Sequence, residues 1–361
     1  MRKKTFITIS LWIIIAICWT LVFALRYTKQ TVFVYTPNLE SCPDIKILDA
    51  NNPYFQVTYE PNRIFTEWKE TNIFLKESKC RVKKPKGKHI YITAVLNNNK
   101  YPLIIDTGFG ECLVVNDLTV TDNNLGIFPF KTGNPALAGL CHIDKLQIGD
   151  MTITNPQSYY YLSHYKKKLF GITTFKQRKI ILGLGIMRQF RYVLIDNIDS
   201  ILEFSMDSFH AEPVESWRQY EMLIENDSQN TTRLMVKIPI AGENTKIAFD
   251  TGYDCCLIMT EKIWERYAIK LHKVKEKKNR SLLTSGVYDI REITIDKLSI
   301  GNKIFPNESI HIFSDNTIYG PDFFMLGINC FKNTVIVLDF EHNLLWVKQT
   351  TDLAVNNENN S

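Results

Sequence analysis

The chain has 361 residues, 45% of them hydrophobic and 22% charged, enough length and apolar content to bury a core in one large or two small folded units. Its net charge of +5 is small for that length. The basic residues are scattered or sit in short runs such as Arg81 to Lys88, so composition gives no reason to invoke nucleic acid as a partner.

The first element in chain order is Phe6 to Leu25, an uncharged run preceded by Arg2, Lys3 and Lys4 and followed by Arg26 and Lys29. Its length is about that needed to cross a hydrocarbon core as a helix, and it lacks a small-residue cleavage pattern near Leu25. Residues 1–26 are therefore expected to be a single-pass membrane anchor rather than a cleaved signal peptide. The excess of positive charge before the run places the body on the extracytoplasmic side. Residues 27–88 contain five prolines and short strand-like pieces, Thr31 to Tyr35 and Phe55 to Tyr59, and read as a stalk or accessory segment. A lysine of the run Lys83 to Lys88 could approach an acidic site as an inhibitory prosegment, although a spacer is the simpler role. Of the seven cysteines beyond the first run, Cys42 and Cys80 could pair in an oxidising compartment, or most of the thiols are buried apolar groups. Their spacings match no zinc pattern.

From His89 onward the sequence is duplicated. Apolar runs precede Asp106 Thr107 Gly108 and, 144 positions later, Asp250 Thr251 Gly252. Ile181 Leu182 Gly183 recurs at the same offset as Met325 Leu326 Gly327. Asp144 to Gly149 recurs as Asp296 to Gly301 after 152 positions, so the second copy carries a compensated insertion. Each copy closes with an apolar strand ending in Asp, Tyr192 to Asp196 and Thr334 to Asp339. Short runs rich in Ile, Val, Tyr and Phe, bounded by Asn, Gly and Asp, predict β structure throughout, with Glu261 to Tyr267 as one helical exception. Residues 89–204 and 233–349 are then two all-β lobes, residues 205–232 connect them, and residues 350–361 are a polar tail.

One Asp-Thr-Gly is weak evidence, because Asp and Gly are common turn residues. Two at matched positions allow the turns to meet at a pseudo-twofold axis, which brings two carboxylates together. Such a pair shares one proton, so one member can act as base toward water while the other polarises a carbonyl. Thr107 and Thr251 are placed to lock the two turns by hydroxyl contacts to the opposite backbone, and Gly108 and Gly252 to allow close approach. Cys112 and Cys256, at equivalent positions, have no histidine at a spacing that suggests a nucleophilic pair and are read as core packing.

These motifs, with Ile-Leu-Gly-Leu-Gly and Met-Leu-Gly-Ile-Asn following them, resemble the aspartic proteases of the retropepsin and pepsin type over roughly residues 88 to 349. Leu146 to Gly149, Leu298 to Gly301, Leu194 to Asp196 and Val337 to Asp339 look especially like cellular retropepsin-like domains, here in tandem. The resemblance implies a bilobal pair of closed β lobes and a cleft that binds a peptide or protein substrate as an extended strand. It implies cleavage by activated water without metal or other cofactor. It assigns Asp106 and Asp250 as the catalytic pair and puts Gly183 and Gly327 beside the catalytic turns as supports. It places flap hairpins near Lys131 to Gly139 and Thr284 to Tyr288, with Tyr288 as a flap aromatic or a half-buried strand residue. The chain departs from the family at Phe109 and Tyr253, where the residue after the motif glycine is usually Ala, Ser or Thr. That departure raises a second expectation, a peptide-binding or scaffold protein without turnover. A third, two domains that each pair with a second chain, is disfavoured by the short interval between Asp196 and Arg233, so a monomer with an internal pseudo-dimer is expected.

Overall fold

In the computed structural model the described residues are 30–35, 39–40, 42, 44–60, 63–85, 90–130, 138–226, 232–283, 286–316 and 320–348. They form a predominantly β structure built on two large curled sheets of ten and thirteen strands, with a three-stranded and a two-stranded sheet beside them. Alternating burial explains the strands. In Tyr91–Leu96 and Asn99–Asp106 the residues Ile92, Ala94, Leu96, Leu103 and Ile105 are fully or almost fully buried, with exposed or half-buried residues between them. These two strands pair antiparallel through the two-residue turn Asn97–Asn98, both with positive φ, and Ala241–Gly242 repeats that turn in the second copy. Such turns match the right-handed strand twist and favour Asn and Gly.

The copies are joined by the strands that close them. Tyr192–Asp196 pairs antiparallel with Val335–Asp339, with Tyr192 opposite Asp339, Leu194 opposite Val337 and Asp196 opposite Val335. A pseudo-twofold axis therefore passes by the Leu194 and Val337 pair. Ile201–Ser205 and Leu344–Lys348 flank this pair of strands on its two sides, so one continuous sheet reaches from the first copy into the second. Lys79–Lys83, from the segment before the duplication, completes one edge of it, and Asn72–Leu75 forms an edge of the ten-stranded sheet.

The longest helix among the described residues is Glu261–Tyr267, seven residues, against the ~20 needed to span a bilayer. No helix among them is long and apolar enough to cross a membrane, so the single-pass anchor and the extracytoplasmic placement built on it are withdrawn. The run Phe6 to Leu25 itself lies outside the described residues. Cys42 and Cys80 do not pair: the seven cysteines among the described residues are all free, and the Cys80 thiol donates to the Ile148 carbonyl instead. Lys83 and Lys84 belong to a sheet edge against Ile201 and Ser200, and the charge acting on Lys84 is that of Asp196, so neither serves as an inhibitory cation at the duplicated turns. The remainder of that run, residues 86–88, and the first flap tip, residues 131–137, lie outside the described residues. The segment Thr284 to Tyr288, expected as the second flap, falls at the end of the long hairpin Lys273–Leu283 with Gly286–Ile300, whose residues 284 and 285 also lie outside them.

Candidate active site

Asp106 ends the strand Asn99–Asp106, and Asp250 ends its counterpart Glu243–Asp250. Each aspartate lies beside a glycine on a parallel neighbour, Asp106 opposite Gly183 and Asp250 opposite Gly327. The chain then crosses back over these strands. Gly183 and Leu184 donate to the carbonyls of Cys112 and Phe109, both at 2.8 Å, and Gly327 and Ile328 donate to those of Cys256 and Tyr253 at 2.9 and 3.1 Å. The crossing is so close that a Cβ on Gly183 would lie 2.1 Å from the Glu111 carbonyl oxygen, and one on Gly327 2.2 Å from that of Cys255. Both glycines therefore allow the chain to cross directly behind the turns, and carry no reactive group.

The turns are locked to each other. Thr107 Oγ1 donates to the Phe249 carbonyl at 2.7 Å and accepts from the Thr251 amide at 3.0 Å. Thr251 Oγ1 donates to the Ile105 carbonyl at 2.9 Å and accepts from the Thr107 amide at 3.1 Å. Both threonines are fully buried, so these four bonds satisfy groups that water cannot reach. Within each turn the glycine amide donates to its own aspartate, Gly108 to Asp106 Oδ1 at 2.9 Å and Gly252 to Asp250 Oδ1 at 2.7 Å. Each glycine also faces the other aspartate: a Cβ on Gly108 would lie 2.4 Å from Asp250 Oδ2, and one on Gly252 2.2 Å from Asp106 Cγ. Only glycine lets the two carboxyls come this near.

The carboxyls of Asp106 and Asp250 therefore approach each other across the two glycines, each set against the turn of the other. Loss of hydration, then the charge and proximity of Asp106, push Asp250 well above the ordinary carboxylate range, against the opposing pull of the Gly252 amide and the Arg233 guanidinium. Arg233 belongs to the second copy but donates from Nη1 to the Gly108 carbonyl at 3.0 Å, a further tie between the turns. Nearby, burial pushes Glu111 upward, with Arg233 opposing.

The aromatic residues that follow the motif glycines pack into apolar clusters. Phe109 packs on Val114, Tyr161 and Ile181. Tyr253 packs among Ile258, Phe313 and Met325, and its hydroxyl meets Ser281 Oγ at 2.7 Å and His311 Nδ1 at 3.1 Å. Tyr288 lies on the flap strand, half-buried against the same cluster. Cys112 is packed beside Gln157, to which its thiol donates at 3.2 Å, and burial pushes that thiol up to about 11, so it stays protonated.

Two charged residues close to this centre, Lys179 and Arg233, do not stand out in the sequence. Lys179 lies four residues before Gly183, and an alternation count along that strand puts it on the same face as Ile181 and Gly183. Burial pulls its ammonium down, while the charges of Asp106 and Asp250 hold it up. Extending the 144-residue offset beyond the motifs would have flagged it, because its counterpart is Phe323.

No family model matches the chain, and no curated protein sequence matches it. Among solved structures it is similar to basic 7S globulin from soybean, with a TM-score of 0.39 and 11% sequence identity, over 78% of this chain and 96% of that one. The reading of the site rests on its own geometry.

Proposed function

We propose that the protein is an aspartic endopeptidase of the retropepsin and pepsin type, with Asp106 and Asp250 as its dyad, both supplied by one chain. The observation that carries this reading is the approach of the two carboxyls, each set against the glycine of the other's turn, on turns that bond to each other reciprocally. Two carboxyls in contact retain one proton between them, and their titration belongs to the pair. The ionised member takes a proton from a water as its oxygen attacks the peptide carbon, and the protonated member gives its proton to the carbonyl oxygen. The result is a neutral tetrahedral diol. On collapse the C–N bond breaks, the leaving nitrogen takes a proton from the dyad, and one diol hydroxyl returns a proton to it. The dyad ends with the single proton it began with, and the chemistry calls on no cofactor.

Thr107, Thr251, Gly108, Gly252, Gly183 and Gly327 are positioning residues in this reading, since they fix the distance between the carboxyls. The substrate is a peptide lying extended across the cleft between the copies. The alternative of a binder without turnover would be favoured by aromatic rings plugging the dyad. Phe109 and Tyr253 instead pack into the two side walls.

The test is cleavage of an unbiased peptide library by the full chain from acidic to neutral pH, beside Asp106→Asn and Asp250→Asn. Either substitution is expected to lower turnover by roughly 10³-fold or more. Folded wild-type protein that cleaves nothing at any pH, or cleavage that survives either change, would remove the proposal.

A further inference from the structure

The two walls beside the dyad are built to the same plan with one conspicuous exception. Phe109, Val114 and Ile181 on the first wall correspond, 144 positions on, to Tyr253, Ile258 and Met325 on the second. Tyr161, opposite Asn116 in its sheet, corresponds to Phe313, opposite Thr260. The last correspondence sets Lys179 against Phe323. The Asn116 amide donates to the Lys179 carbonyl at 3.3 Å just as the Thr260 amide donates to that of Phe323 at 3.1 Å, so the two residues occupy the same structural place. Phe323 packs on the apolar cluster of the second wall. Lys179 brings a positive charge into the first, where the carboxylates acting on it are those of the dyad. The nearby acid Asp117 is engaged by His164 Nδ1 at 2.8 Å.

Resting on the proposed peptidase, we infer that Lys179 is a specificity residue: it selects substrates with an Asp or Glu side chain on the first-copy side of the scissile bond, while the second wall takes an apolar or aromatic side chain. A half-buried ammonium on an apolar wall lacks the full hydration it has in water, and a carboxylate arriving from the substrate supplies a charged partner that a neutral side chain does not. Beyond the dyad and Asp117, the neighbouring hairpin is basic. The hairpin Ser163–Leu169 with Ile172–Lys176 leaves the first wall with Lys166, Lys167, Lys168 and Lys176 along it. Tyr165 of this hairpin lies close enough to Tyr288 of the second copy for the two to interact electrostatically.

The experiment uses the full chain and peptide pairs that differ only by Glu or Gln at one position flanking the cleaved bond, at about pH 6, where a peptide Glu is ionised. At one of the flanking positions wild-type protein is expected to favour Glu over Gln in kcat/KM by roughly tenfold. Lys179→Met should bring that ratio to about one, Lys179→Arg should keep it, and Lys179→Glu should shift preference toward Lys. Binding of the same pairs with the scissile amide reduced to an uncleavable –CH2–NH– link gives a readout independent of turnover. Cleavage without Glu preference, or a preference that Lys179→Met leaves intact, overturns the inference and leaves the peptidase standing. Glu-selective binding that Lys179→Met abolishes, in a protein that cleaves nothing, supports the acidic recognition and removes the peptidase.

Discussion

Around Asp106 and around Asp250 the backbone makes the same bonds to the same groups at nearly the same distances: glycine amide to aspartate, threonine hydroxyl to the opposite turn, carbonyl after the glycine to the strand that crosses behind. A few ångströms away the copies part. One wall holds Lys179 and a phenylalanine, the other holds Phe323 and a tyrosine whose hydroxyl is tied to Ser281 and His311. The chemistry of a shared proton requires two carboxyls in equivalent positions, so the turns have little room to differ. A peptide has direction, so in the proposed peptidase the two walls have no reason to match.

The sharpest way to break the equivalence of the turns is to put a methyl group into one of them. In Gly252→Ala the new Cβ would stand 2.2 Å from Asp106 Cγ, and in Gly108→Ala 2.4 Å from Asp250 Oδ2. Neither distance is tolerable, so the carboxyls must separate, and a displacement of that order costs about 10²-fold in turnover. Both variants are expected to lose kcat by about that factor while near-UV circular dichroism stays close to wild type. Damage from only one of them would mean that the two turns do not share one reacting centre.

The threonine lock gives a smaller and more symmetrical effect. Thr107→Val strands the Thr251 amide and the Phe249 carbonyl, and Thr251→Val strands the Thr107 amide and the Ile105 carbonyl, all in places closed to water. Each should cost about 2–3 kcal/mol in urea unfolding. The two values are expected to agree within ~0.5 kcal/mol, and the double variant should cost less than their sum because the four bonds form one network. Unequal single costs would show that one hydroxyl does most of the locking.

How much of this was legible before any coordinates follows from the distance over which each signal acts. The offset of 144 placed both carboxyls, their threonines and their glycines, because a duplicated turn preserves its own local spacing. The turn at Asn97–Asn98 was equally readable, since positive φ at two successive positions calls for residues of that kind. Partner choice was not. Tyr192–Asp196 and Val335–Asp339 announce themselves as strands, yet nothing in their alternation says that they pair with each other across the molecule. Lys83 and Lys84 looked like cations available to an acidic site, and a sheet edge claimed them instead. Lys179 had the opposite fate. In sequence it is the last of several basic residues from Lys166 onward and does not stand out, whereas the strand that carries Gly183 to Asp106 also carries Lys179 into the field of the dyad. The uncharged run near the N-terminus suggested an anchor on length and hydropathy alone, a signal that no helix among the described residues supports.

The smallest expected effect concerns the proton itself. Asp250 is held well above the ordinary carboxylate value of 3.8 in the folded chain. The native state therefore binds that proton more tightly than the unfolded chain does, and the stability this contributes is complete below the unfolded value and is lost as pH rises toward the folded one. Wild-type protein at neutral pH carries the cost of crowding charge into the pair, and Asp250→Asn does not. The variant, inactive as an enzyme, should accordingly melt higher than wild type at pH 7, by roughly 2–4 °C for a cost near 1 kcal/mol, and the two should converge below about pH 4. Melting curves across that range test the sharing directly. A difference in Tm that stays constant with pH would mean that Asp250 holds no proton on behalf of Asp106, and the symmetry of the turns would then be structural without being chemical.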